Sequence, residues 1–481
     1  MAGHSDEHVG GVTRRQAIRM LAAAGGAAAL VLRNPGMAFA AVAHQDQFLD
    51  GRVVAFGIPG ASAISQVGVF LAGSPIHDNP VLAELTQPGR VLDPTRLLVG
   101  SRSNFGAPTA HADQFEGSFL SVDPGAAEVE VPARFASTGD QASTLGGAIQ
   151  MYSAQSPNFL NGIYHPTAVT ADQAAVANPL GMSINNSFGR PWPANAPFGL
   201  AGPGSSSIVD PDGRPLKAAP SERIGGVYFD DLTGRAPTQV IPGALKTAAV
   251  GTALLGRSPD GSGRAVFCVV AADGSIVQEH TEQALDGLSP AGTVQPLVGR
   301  SWRRADDARG RDRGDRRGKE RDPLPRLGVI ANPSPTLTLY VSQPFADSIK
   351  AIDVGTGGPA GNEVFIPGTT RLLRSRALDQ PVDLAPVSIE TGNPNQSSNT
   401  TMKPGTDFYV CNRGNDTIVR MTQSGQVVAV RTVRAAGRSL GSARLNGISA
   451  AFDGSRLWVT YVGRLPGSDD PFGGVLELPA F

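Results

Sequence analysis

The feature that most constrains this chain is a short unit that recurs without being copied exactly to length. "DFYVCNRGNDTIVRM" (407–421) reads as strand, tight turn, strand. Phe408, Tyr409 and Val410 are β-formers, Asn412 to Asn415 are turn formers, and Thr417 to Val419 extend again. "TLYVSQPFADSIKAIDV" (338–354) has the same plan, with Leu339-Tyr340-Val341 over Phe408-Tyr409-Val410 and Gln343 over Asn412. "RLWVTYVG" (456–463), "RLLVGSRSNF" (96–105), "GRPWPANAPFG" (189–199), "GGVYFDDLTG" (225–234) and "AVFCVVAADGSIVQEH" (265–280) repeat parts of it. Two short strands cannot hide an apolar face alone. Units recurring at intervals of about 40–50 residues are read as small antiparallel sheets stacked around an axis, which buries both faces of each and leaves few open edges.

Composition agrees. The 481 residues include 59 Gly and 38 Pro, which favour many turns over long helices. Charged residues are 17% and aromatics 6%, as in a weakly charged globular protein rather than a disordered one. A formal net charge of -1 argues against nucleic-acid binding through a global positive field.

"FYVCNRGNDTIVRMTQSGQVVAV" and "NGISAAFDGSRLWVTYVG" resemble YVTN-type and NHL/SMP-30-like β-propeller repeats, best over 330–463 and patchily over 90–290. The resemblance implies an all-β fold, a β-propeller of six to eight four-stranded blades. The competing reading is a β-sandwich or two smaller β domains. A propeller must close its ring. "GRVVAFGIPGASAISQVGVF" (51–70) and "GGVLELPAF" (473–481) are both strand-like, so the two ends are expected to share one blade.

The N-terminal segment stands apart. "TRRQAIRM" (13–20) places Arg14 and Arg15 before the mildly apolar "LAAAGGAAALVL" (21–32), and "AFA" (38–40) supplies a small-x-small cleavage site. This resembles a bacterial twin-arginine signal peptide, with Ala17 departing from the usual Phe. The expected organisation is a signal over 1–40 and one propeller domain over 41–481. The mature protein would be periplasmic or secreted, without a membrane anchor. "RRADDARGRDRGDRRGKERDP" (303–323) is nearly all Arg, Asp and Gly, and reads as a disordered insertion with mixed charge.

Chemistry is harder to read. Cys268 and Cys411 each sit in an apolar run, and read as small buried hydrophobes; an exported protein also permits a disulfide between them. No cysteine–histidine zinc spacing or nucleophile elbow is present. His165 and His280 have no visible catalytic partner. Aligning the repeats instead gives a corner after each expected inner strand: Ser101, Asn195, Asp231, Gln343, Asn412 and Tyr461. Equal positions in successive blades form a ring, so these side chains are expected to approach one mouth of a central channel. SMP-30-like lactonases hold one divalent metal in such a ring. The resemblance implies that Asp231, Asn412 and Asn446, with Asp383 nearby, imitate that set, although the family's N-terminal Glu ligand has no counterpart here. The candidate ligand-binding residues are therefore Asn195, Asp231, Gln343, Asn412 and Asn446, with no catalytic residue assigned. One divalent cation (Ca, Mg, Mn or Zn) is the candidate cofactor. The competing reading is that Asn and Asp merely cap turns. Two functions follow: an exported propeller that binds a protein or small polar ligand, or a metal-dependent hydrolase of the SMP-30-like kind.

Overall fold

The computed structural model describes residues 48–58, 60–62, 64–66, 87–88, 93–101, 118–126, 128–131, 149–153, 166–172, 181–186, 227–230, 238–239, 249–261, 265–271, 276–280, 293–298, 327–390, 400–451 and 453–481. Phe48–Phe481 forms one compact unit. The signal-like segment, Asn195, Asp231 and the charged stretch 303–323 lie outside the described residues.

Every named element is a β-strand. After β1 (Phe48–Phe56), the first blade is built from β2 (Ile64–Gln66), β3 (Leu97–Ser101), β4 (Ser118–Val122) and β6 (Ile149–Ser153); the short β5 (Val129–Glu130), which follows β4 in the chain, pairs instead with β1. The second holds β7 (Pro166–Asp172), β8 (Gly181–Asn186), β9 (Val227–Asp230) and β10 (Thr238–Gln239). The third holds β11 (Ala249–Arg257), β12 (Ala265–Ala271), β13 (Ile276–His280) and β14 (Thr293–Val298). The fourth holds β15 (Val329–Asn332), β16 (Thr338–Gln343), β17 (Ser348–Gly357) and β18 (Val364–Arg374). In the fifth, β19 (Pro381–Pro386), β20 (Phe408–Asn412), β21 (Thr417–Met421) and β22 (Val427–Ala435) are followed by β23 (Arg438–Ser439), which folds back on β22. The sixth takes β24 (Arg444–Ala450), β25 (Arg456–Val462) and β26 (Gly473–Pro479), and β1 completes it.

The first strand of each blade lies beside the first strand of the next. β2 neighbours β7, then β11, β15, β19 and β24 follow in turn, and β24 returns to β2. That closed circuit of inner strands defines a β-propeller of six four-stranded blades among the described residues. The chain ends share a blade as expected: β1 runs antiparallel to β26, with Val53 opposite Leu476 and Phe56 opposite Gly474. The first half of β1 also pairs in parallel with β22, Phe48 opposite Thr432 and Gly51 opposite Ala435. Outer strands of the fifth and sixth blades thus form one continuous edge.

The apolar runs of the sequence follow from this stacking. A strand buried on both faces shows no polar alternation. In β20, Phe408 and Val410 pack with Tyr340, Ile349 and Leu373 of the fourth blade. Tyr409 and Cys411, on the opposite face, pack with Leu445, Val459 and Leu476 of the sixth. Cys268 belongs to a third cluster, between the third and fourth blades. The two thiols are therefore buried in separate layers and form no disulfide with each other.

Inner strands approach one another closely. A β-carbon on Gly251 would meet the Leu327 main-chain oxygen, and one on Gly447 the Ser62 main-chain oxygen. Register shifts of one residue occur at the start of β7, β11, β19 and β24, between Pro166 and Ala168, Ala249 and Gly251, Pro381 and Asp383, and Leu445 and Gly447. Asp383 holds the position that glycine fills in β11 and β24, and it is fully buried.

Candidate functional site

The corners identified in the sequence fall at the turn between second and third strands. Gln343 ends β16 opposite Ser348, Asn412 ends β20 opposite Thr417, and Ser101 ends β3 opposite Ser118. These three positions are equivalent, as the alignment required. They stand one strand further from the axis than expected, because β15, β19 and β2 are the inner strands. Asn446 and Asp383 do lie on inner strands, β24 and β19. Tyr461 is buried in β25, where burial, with Asp470 adding to it, raises its phenol above the ordinary value.

One alignment changes. Val227–Asp230 forms the third strand of its blade and so is not the counterpart of β20; Asp231 itself lies outside the described residues. The counterpart of Asn412 is Asn186 at the end of β8: it faces Pro166 as Asn412 faces Pro381, and each pair precedes the same register shift. A proline one strand before an asparagine was the available signal. Asn195 lies outside the described residues.

The side chains of Asn412, Gln343, Asn446 and Asp383 bond to their own frame. Asn412 Nδ2 donates to the Ala377 main-chain oxygen at 2.6 Å and to Thr417 Oγ1 at 2.9 Å. Ser348 Oγ donates to Gln343 Oε1 at 3.2 Å. Asn446 Nδ2 donates to the Ala61 oxygen at 2.7 Å, and Thr460 Oγ1 to the Ser62 oxygen at 2.8 Å, which ties the sixth blade to the chain entering the first. The Asp383 carboxylate accepts the N–H of Leu384 at 2.9 Å and that of Ile448 in β24 at 2.8 Å. Asn412 Oδ1 is buried and has no hydrogen-bond partner.

A second set of side chains, which the sequence reading did not single out, shares this face. Asp347 and Asp416 occupy the same turn position in the fourth and fifth blades, both with left-handed backbone (φ 46° and 54°) that Asp tolerates better than most residues. Asp347 Oδ1 accepts the N–H of Gln380, just before β19, at 2.9 Å. Asp416 Oδ1 accepts the N–H of Leu445 in β24 at 3.5 Å, while Arg444 donates to its Oδ2 at 3.2 Å. In the longer turn of the sixth blade, Asp470 Oδ2 accepts the N–H of Gly57, on the way to β2, at 2.8 Å. In each case a turn carboxylate caps the chain entering the next blade. Burial together with the Asp347 charge raises the Asp379 carboxyl above the ordinary value, and the Asp379 charge in turn acts to raise Asp416.

The opposite end of the inner ring is lined by the chain itself. The main chain of Thr400–Met402 runs parallel to β15, exchanging bonds with Ala331 at 2.8 Å. Thr400 Oγ1 accepts the Leu254 N–H of β11 at 3.4 Å. Among the described residues no group of three His, Cys, Asp or Glu side chains is arranged to hold a metal ion.

No family model and no curated protein matches the sequence. Solved structures do match at low identity. The calcium-binding protein regucalcin from Agrobacterium tumefaciens is 10% identical, over 90% of this chain and 95% of its own, with a TM-score of 0.41. Sqt1 from Chaetomium thermophilum, bound to the N-terminus of ribosomal protein L10, is 12% identical over 90% and 100%, with a TM-score of 0.36. Virginiamycin B lyase from Staphylococcus aureus is 8% identical over 80% and 91%, with a TM-score of 0.35. Scores this low carry no argument, and the propeller assignment rests on the strand pairing above.

Proposed function

We propose that this chain is an exported β-propeller that acts as a binding or scaffold protein for a protein or small polar ligand. One observation carries the reading: Gln343, Asn412, Asn446 and Asp383, the described polar residues nearest the expected site, are all engaged in bonds that hold turns and blades together. Their chemistry is that of a frame, which leaves the outer surfaces to recognition. Export rests on the paired Arg14 and Arg15 before an apolar stretch. Replacing both with lysine should leave the protein unexported, and normal amounts outside the cytoplasm would contradict it.

A second reading is a divalent-metal-dependent hydrolase of the SMP-30-like kind. What favours it is the buried, unpartnered Asn412 Oδ1, a hard oxygen donor. Among the described residues no group of three His, Cys, Asp or Glu side chains is arranged with it to hold a metal ion. Elemental analysis of purified protein, with thermal shift on adding Ca, Mg, Mn or Zn, separates the two. Metal-free protein with an unmoved melting temperature supports the binding reading. Stoichiometric metal with lactone hydrolysis overturns it.

A further inference from the structure

The outer edges of the described blades are unequal. In the fifth blade β22 is covered by β23 and by the first half of β1; in the sixth, β1 is covered by β22 and β5. Among the described residues β18 ends its sheet with no strand beyond it, as β6, β10 and β14 end theirs. At 11 residues it is the longest of the described strands. It also carries two of the most exposed large apolar side chains, Ile366 at 43% and Leu372 at 48%.

Charge on this edge has one sign. Residues 364–376 read VFIPGTTRLLRSR, with Arg371, Arg374 and Arg376 and no acid. Arg371 has only a long contact to Asp353, at 3.5 Å, and is itself half exposed. Register sets the faces. Arg371 lies opposite Ala351, Leu372 opposite Lys350 and Arg374 opposite Ser348. Leu373 is buried between the fourth and fifth blades, so Leu372, Lys350 and Arg374 share the other face. Lys350 is partly desolvated there, which lowers its ammonium below the ordinary value. The Gln278 amide occupies the Phe365 N–H and oxygen near the start of β18; past that point the edge offers an apolar spot, Leu372, flanked by the cations Lys350 and Arg374.

We propose that the later part of the β18 edge, past Phe365 and around Arg371–Arg374, takes an extended peptide as an added strand, one whose acidic residues flank an aliphatic one. Main-chain bonds along such an edge supply affinity, and the alternating side chains supply register and choice. The same arginines, with Pro367, oppose pairing between two copies of this edge, since like charges would meet. The edge thus rejects its own kind and selects the opposite charge. This deepens the binding-protein reading and rests on it.

The test uses the full chain and a fluorescein-labelled peptide of alternating Glu and Val, read by anisotropy. The acidic peptide should bind, and the corresponding Lys/Val peptide should not. Added salt should weaken binding. A double variant, Arg371→Glu with Arg374→Glu, should lose affinity by about tenfold or more with an unchanged melting temperature. A peptide N-methylated at alternate residues should bind far more weakly, because the ladder bonds are blocked. Equal binding of the N-methylated or lysine peptide would overturn strand addition, as would an unaffected double variant. So would absence of binding to metal-free protein without lactonase activity, and that result leaves the wider binding reading standing. Metal-dependent lactone hydrolysis combined with intact peptide binding would instead overturn the binding reading alone.

Discussion

Asp383 and Ile448 join two blades: a fully buried carboxylate oxygen in β19 accepts the main-chain N–H of the neighbouring inner strand at 2.8 Å. The other oxygen accepts the N–H of Leu384. Gly328 makes room for the side chain, since a β-carbon there would press on the Asp383 backbone and carboxylate. Asp383→Ala would strand buried N–H groups, and should cost about 3 kcal/mol in urea unfolding. Asp383→Asn, which keeps one acceptor, should fall between. An alanine variant as stable as the parent would remove Asp383 from the frame.

Asp416 gives a pH dependence with a definite sign. Burial raises its carboxyl above the ordinary 3.8; Arg444, the Leu445 N–H and Arg413 act against the rise, and Asp379 adds to it. A folded-state value above the unfolded one means that the native protein holds more protons. This contribution to stability is full below the ordinary value and is lost as pH rises through the folded one. Asp416→Asn keeps an acceptor for Leu445 and removes the charge. Its melting temperature should vary less with pH above the ordinary carboxylate value, and should not drop at neutral pH. A variant selectively weakened at neutral pH would show that the ion pair with Arg444 outweighs burial.

Gln278 docks one blade on the next. Its Nε2 donates to the Phe365 oxygen at 2.6 Å, and its Oε1 accepts the Phe365 N–H at 3.1 Å, both buried. The amide thus stands in for a neighbouring strand. Gln278→Ala should cost about 2 kcal/mol and speed amide exchange at Phe365 in β18. Unchanged exchange there would contradict the docking role.

The thiols should be silent in the folded protein. Burial pushes the Cys268 thiol up to about 12, and Cys411 is fully buried in another layer. A thiol reagent at mildly alkaline pH should label neither until the chain is unfolded, and then both. Prompt labelling of the native protein would place one of them at the surface.

Much of the fold was legible because a stacked sheet leaves a plain trace. Phe408 to Cys411 form an unbroken apolar run since each residue faces one neighbouring blade or the other. Ring closure by the two ends followed from the need to cover an edge. The rank of each strand within its blade was not legible. Second and third strands are both buried β-formers, so Val227–Asp230 was matched to the wrong one. Asn412 was recognised as a corner, but whether it braces or ligates depends on Ala377, 35 positions away. The capping role of Asp347, Asp416 and Asp470 was hidden for the same reason. Their partners Gln380, Leu445 and Gly57 belong to the next blade, and main-chain N–H groups leave no mark in a sequence.

The central claim, that the polar corners are the frame of this propeller, is tested most directly at Asn412. Thermal unfolding of Asn412→Ala should be measured beside the parent, with and without Ca, Mg, Mn or Zn. Loss of the bonds to Ala377 and Thr417 should lower stability by about 1–2 kcal/mol, by the same amount whether or not an ion is present. A variant as stable as the parent that has lost a stabilisation by metal seen in the parent would contradict the account, and would make Asn412 a ligand.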